Sequence, residues 1–193
     1  MNIIEIYELE NFENIFKSST KALEKYNSEK IKLDSGIVEA TNMIIYLAKN
    51  NKDYSSIFNK ELNEENYLEI IEELGRYIGK RTISVLQMNR GIKKYTGLKG
   101  KKLHLMKNYW KWNNNSVYEY IKSGIFSNSP VLMITWNFKD KDIQNRWFCI
   151  IGMKKYDNGK VELIATTGKE KKILDLNSWL EGKSLYKGLI YYK

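Results

Sequence analysis

From Gly36 to Ala48 the chain reads Gly-Ile-Val-Glu-Ala-Thr-Asn-Met-Ile-Ile-Tyr-Leu-Ala, and wound as a helix this stretch is apolar on nearly every side. Such a helix has no face to offer water, so other elements must enclose it. It predicts a buried central helix, opened by Asp34-Ser35, either of which can accept from the unpaired amides of a first turn. A chain of 193 residues is long enough to bury it within one domain, residues 1–193. The composition, 42% hydrophobic and 28% charged, is that of an ordinary folded protein.

The remaining pattern is helical in the first half and strand-rich in the second. A short apolar start, Ile3 to Tyr7, leads to a helix from about Asn11 to Tyr26, with Phe12, Ile15, Phe16 and Leu23 near one face. Asn63 caps a helix reaching about Ile78, with Glu64 and Glu65 at its positive end, and a further helix from about Ile83 to Tyr95 ends before Gly97. Leu103 to Lys107 reads as a first core strand, and Ser116 caps a short helix through Ile121. After Ser129-Pro130, Val131 to Trp136 is an apolar strand. Arg146 to Tyr156 and Lys160 to Thr166 flank Asp157-Asn158-Gly159, whose Asn-Gly suits the positive φ angles of a tight hairpin. Thr167-Gly168 turns into a strand from Lys172 to Leu176, Asn177 caps a turn carrying Trp179 and Leu180, and Leu185 to Tyr192 closes as a strand. Helices over about 1–100 and an antiparallel sheet over about 101–193 make an α+β protein.

Chemistry-bearing residues are few. Cys149 is the single cysteine and His104 the single histidine, so no internal disulfide and no multi-cysteine metal site can form, and no cofactor is expected. Cys149 lies among apolar neighbours and reads as a small core residue. Charge is uneven: residues 1–73 carry net −7, residues 74–118 net +11 with no acidic side chain, and residues 119–193 net +5. In the basic block, Lys93, Lys94, Lys99, Lys101 and Lys102 accompany Tyr95, Tyr109, Trp110 and Trp112, a mixture that can hold phosphates and stack bases. The plainer reading is that the basic middle faces the acidic first third. No stretch reaches the roughly 18 apolar residues of a membrane span and no basic-then-apolar leader opens the chain, which makes the cytoplasm the expected compartment.

The order of motifs resembles papain-like cysteine peptidases, in particular the branch similar to bacteriocin-leader-processing peptidases. Ser35-Gly36-Ile37-Val38-Glu39-Ala40-Thr41-Asn42 looks like the Cys-Gly-Pro-Thr helix start of that family, Pro130-Val131-Leu132 like its Pro-Val strand, Arg146-Trp147-Phe148-Cys149-Ile150-Ile151-Gly152 like its His-Trp strand, and Thr166-Thr167-Gly168 like its closing turn. The resemblance covers roughly residues 30–193 and implies a papain-like fold with a cleft lined by Asp34, Gly36, Trp147 and Thr166. It departs from the family at the reacting groups. Ser35 stands at the thiol position and Arg146 at the imidazole position, and no glutamine precedes Ser35 to help bind an oxyanion. A serine hydroxyl without a base is a poor nucleophile, and a guanidinium cannot take its proton. The resemblance therefore implies a non-catalytic descendant that binds a peptide or protein partner, with Arg146 available to a carboxylate or bridging to Asp34. The alternative is a basic adaptor for nucleic acid or another polyanion.

Overall fold

In the computed structural model, residues 1–27, 34–79, 81–106, 113–136, 143–168 and 170–193 are described. The chain begins with β1 (Ile3–Glu8) and continues through α1 (Phe12–Asn27), α2 (Ser35–Asn50), a 3-10 turn (Lys52–Ile57), α3 (Glu64–Ile78) and α4 (Val85–Leu98). Then follow α5 (Asn114–Phe126), β2 (Val131–Trp136), β3 (Arg146–Tyr156), β4 (Val161–Thr166), β5 (Lys171–Asp175), α6 (Leu176–Glu181) and β6 (Tyr186–Ile190). The strands form one antiparallel sheet in the order β5-β4-β3-β2-β6, with β1 added to the upper half of β3 beside β2. The protein is α+β.

The expected central helix is α2. Every residue from Gly36 to Ala48 is buried, because α1, α3, the 3-10 turn and strands β2 and β3 all pack around it. Strand β3 is buried without a break from Trp147 to Met153. Successive strand side chains leave by opposite faces, so unbroken burial means that both faces of the sheet are covered. Trp147 faces α2, whereas Thr135 of β2 accepts a hydrogen bond from the Trp179 indole on α6, which together with α5 covers the other face.

Several boundaries differ from those the sequence suggests. β1 is a full strand, recruited by β3 through the pairs Ile3 with Tyr156 to Glu8 with Gly152. Helix α4 starts at Val85 behind a Ser84 cap and runs through Gly97, which costs a helix only about 1 kcal/mol relative to alanine. Gly100, at φ 73°, is what turns the chain. Residues 103–106 form no named strand but an isolated bridge between Leu105 and Tyr192, while Lys107 lies outside the described residues. Helix α5 is capped by Asn113, with Ser116 as the reciprocal partner three residues on, and it extends to Phe126. Asp175, not Asn177, caps α6, accepting from the Ser178 amide at 2.6 Å. In the β3–β4 hairpin only Gly159 has positive φ, 83°, and its amide donates to the Tyr156 carbonyl at 3.0 Å. That is a type I turn followed by a left-handed glycine, which a three-residue loop favours over the mirror-image two-residue turn.

Helices α3 and α4 cross at Gly91. A Cβ there would stand 2.7 Å from Ile78 Cα and 2.9 Å from Ile78 N, backbone atoms that cannot swing aside. Gly91→Ala is expected to cost about 1–3 kcal/mol in urea unfolding. Gly97→Ala, with nothing within 4 Å of its Cβ, is expected to be neutral or stabilising by up to about 1 kcal/mol. Equal midpoints for the two variants would contradict the close crossing.

Candidate functional site

The start of α2 and the start of β3 meet. Asp34 precedes α2 in extended backbone, and its Oδ1 accepts the Gly36 amide at 2.7 Å while its Oδ2 accepts the Thr82 amide at 3.4 Å. One carboxylate thus caps the helix and ties it to the segment between α3 and α4. Burial raises the Asp34 carboxyl above its ordinary pKa, and the amides of Gly36, Thr82 and Ile37 oppose that shift. Ser35 is the first residue of α2, and its Oγ accepts the backbone N–H of Trp147 at 3.0 Å across 112 residues of chain.

Trp147 closes the junction. It is 1% exposed, and its indole Nε1–H donates to the Thr82 carbonyl at 2.7 Å. A Cβ on Gly36 would stand 2.8 Å from Trp147 Cδ1, 2.8 Å from Asp34 Oδ1 and 3.0 Å from Thr82 Cβ, so the ring reaches the helix because position 36 is glycine. A cavity of about 170 Å³ remains beside this junction, walled by Asp34, Ser35, Arg81, Thr82, Ile83, Ile134, Trp136, Asn145, Arg146 and Trp147. Arg81, Thr82 and Ile83 come from a segment that carries no recognisable motif, and Ile134 and Trp136 from the far end of the strand that Pro130-Val131 opens.

The residues singled out from the sequence distribute unevenly over this geometry. Asp34, Ser35, Arg146 and Trp147 share the cavity wall. Gly36 is buried beneath the Trp147 ring, and Thr166, fully buried on β4, bonds Glu39 in the core instead of lining the cavity. Arg146 opens β3. It pairs with Thr135, which shares its face with Trp179, so its Cβ leaves the sheet away from α2 and the side chain that meets α2 is that of Trp147. Arg146 makes no ion pair with Asp34, whose oxygens are occupied by amides. Among the described residues no imidazole, carboxylate or amine hydrogen-bonds the Ser35 hydroxyl, and His104 is exposed elsewhere, exchanging backbone bonds with Lys193.

Beneath the junction lies a polar group that the sequence hides in an apolar run. Glu39, one helical turn after Ser35, is 0% exposed, and its Oε2 accepts from Asn42 Nδ2 at 3.3 Å and Thr166 Oγ1 at 3.1 Å. Its Oε1 has no partner among the described residues. Burial pushes its pKa up to about 8, against the two hydrogen bonds. Burial, with Glu39 nearby, raises the Cys149 thiol well above its ordinary pKa, which leaves an inert thiol in the core.

The basic block is divided. Lys93, Lys94 and Lys102 are exposed and Lys99 and Lys101 half-buried. Lys99 pairs with Glu73 at 2.8 Å and lies over the Tyr95 ring, while Lys94 lies over Tyr77. The Lys99–Glu73 pair joins the basic middle to the acidic first third, whereas the two ring contacts stay within the basic block. Tyr109, Trp110 and Trp112 lie outside the described residues.

A scan against protein-family models, a search of curated proteins and a search of solved structures each returned no match. No helix among the described residues is long and apolar enough to cross a membrane. No group of three or more His, Cys, Asp or Glu among them is placed to hold a metal ion.

Proposed function

We propose that this chain is a papain-like domain without peptidase chemistry, which works by binding a peptide or protein partner at the junction of α2 and β3. The observation that carries the proposal is the Ser35 hydroxyl, held at the head of a buried helix and facing the start of an apolar strand, where it accepts a main-chain N–H instead of meeting a base. A hydroxyl at a helix head beside a strand start is where the resemblance would put a nucleophile, and here its partner is a backbone amide. Trp147 fills the ground between helix and strand, and the remaining cavity of about 170 Å³ has room for one side chain of a partner. Its wall combines the apolar Ile83, Ile134 and Trp136 with Arg81 and Arg146, a mixture suited to an amphipathic anchor.

Two measurements test this. Hydrolysis of a fluorogenic peptide library at a rate lost on Ser35→Ala or Cys149→Ala would overturn the non-catalytic half, and no turnover is expected. For the binding half, peptides enriched from a displayed random library are expected to bind an Arg81→Glu/Ile83→Asp variant at least tenfold more weakly. Both residues are exposed, so the variant should keep its fold. Unchanged binding would remove the cavity as the docking place.

A further inference from the structure

A second groove, at the opposite end of α2 from the Ser35 junction, has features that the site above does not use. Strand β1 pairs only with β3 among the described strands, leaving its outer edge free. Edge strands present a row of unpaired amides and carbonyls, and natural proteins usually guard them with charge or proline. Here one face of the edge carries Ile4 and Ile6, 57% and 56% exposed, and the other carries Tyr7 with Phe126 of α5, 65% exposed, packed on it at 4.8 Å between ring centres. Between β1 and the turn leading from α5 to β2 lies a cavity of about 480 Å³.

The floor and rim of this groove are built for a main chain and for positive charge. Tyr46, at the buried core of α2, donates from its hydroxyl to Asn128 Oδ1 at 2.5 Å and accepts Asn50 Nδ2 at its carbonyl at 2.9 Å. Both amides are thereby fixed, with the Asn128 Nδ2 donor and the Asn50 Oδ1 acceptor left over for a ligand. Asn128 holds this position in left-handed backbone, φ 53°. At the rim stand Glu8 and Glu10, which make no ion pair among the described residues, although the chain carries net +9 and other carboxylates such as Glu5 and Glu13 are held by lysines. Two unneutralised carboxylates beside an apolar strand edge select against the protein's own basic surface less than they select for a cationic visitor.

We propose that this groove receives an extended cationic peptide segment, which adds as a strand to β1, sets alternate apolar side chains on the face of Tyr7 and Phe126, and places the intervening lysine or arginine on the opposite face, against Glu8 and Glu10. Main-chain hydrogen bonds supply the affinity and the carboxylates the selectivity, the division of labour seen wherever a strand is added to a sheet edge.

The probe is a capped heptapeptide of alternating lysine and valine, titrated at low ionic strength into the isotopically labelled protein and followed by amide chemical shifts. Saturable shifts are expected in β1, Asn50 and Asn128. Binding should fall at least tenfold in Glu8→Gln/Glu10→Gln, in the same peptide with alternate backbone nitrogens methylated, and when glutamate replaces lysine in the peptide. The two glutamates are exposed and unpaired, so the double variant should keep its thermal midpoint. Equal binding of the methylated peptide would overturn strand addition, and equal binding of the glutamate peptide would overturn the cationic occupant. No saturable shift would overturn the site. A concentration-dependent dimer that protects the β1 amides and excludes the peptide would assign the edge to a second copy of the chain and overturn the proposal in the same way.

Discussion

Replacing Glu39 by glutamine is expected to make the protein more stable than the wild type at pH 8–9 and to leave the two nearly equal near pH 4. The sign follows from proton linkage. The folded carboxyl has its pKa raised from 4.5 to about 8, so between those values the folded state holds a proton that the unfolded state has released. Stability therefore falls as pH rises through that window, by about 1.4 kcal/mol per unit, and is flat above and below it. Over the whole window the loss is on the order of 3–5 kcal/mol, a large share of what holds a domain together. The groups that face Glu39 do not share the effect. Asn42 on α2, Thr166 on β4 and the Gly168 backbone carry no charge, and the Tyr67 hydroxyl and Cys149 thiol are both raised well above their ordinary pKa values. Glutamine keeps an oxygen to accept from Asn42 and Thr166 and carries no proton to lose. Urea midpoints of the two proteins from pH 4 to pH 9 measure the difference, and parallel profiles would mean that the carboxyl is not buried as described.

Glu39 also marks the boundary of what the amino-acid order reveals. The central helix was legible because burial all round leaves a direct trace, an apolar residue at nearly every position. The same trace concealed Glu39, Thr41 and Asn42, which are all fully buried and read in sequence as interruptions of a pattern. A carboxyl in a run such as Ile-Val-Glu-Ala-Thr-Asn is the one available signal that the helix carries polar contacts inward. Caps were legible where the capping side chain sits beside the periodic residues, as Asn63 does, and misassigned where two candidates compete, as Ser116 and Asn113 do within one reciprocal pair. Strand β1 was invisible as a strand because its partner is more than a hundred residues away and its outward side chains are isoleucines, which carry no alternation. The meeting of Ser35 with the start of β3 followed from motif order, whereas the phase of that strand did not. A one-residue slip exchanges the faces of a strand, and nothing in Asn145-Arg146-Trp147 fixes which of the three looks at the helix. The fold decides it through the Trp147 indole and the Thr82 carbonyl, a partner with no side-chain identity to read.

Trp147→Ala is expected to be the most damaging single truncation at the junction, lowering unfolding free energy by about 3–5 kcal/mol. The ring is almost wholly buried, and its loss would open a cavity against Gly36, a position with no side chain to fall into it. The Thr82 carbonyl would lose its donor as well. Trp147→Phe separates the two contributions: most of the apolar volume stays, the Nε1–H donor goes, and a cost of about 1–3 kcal/mol is expected for the orphaned carbonyl. Ser35→Ala removes the acceptor of the Trp147 amide and should cost about as much as a lost hydrogen bond, roughly 1 kcal/mol. Guanidinium chloride unfolding of the three variants should rank them in that order. If Trp147→Phe matched Trp147→Ala, the indole hydrogen bond and not the packing would hold the junction; if all three matched the wild type, helix and strand would be held by something other than these contacts. The ranking bears on the proposed function as well. A peptidase must keep the space between nucleophile and base open to substrate and water, which forbids an indole there. A chain that only binds is free of that constraint, and the same space can be given to a clamp between α2, β3 and the segment before α4, with the binding surface moved to the rim.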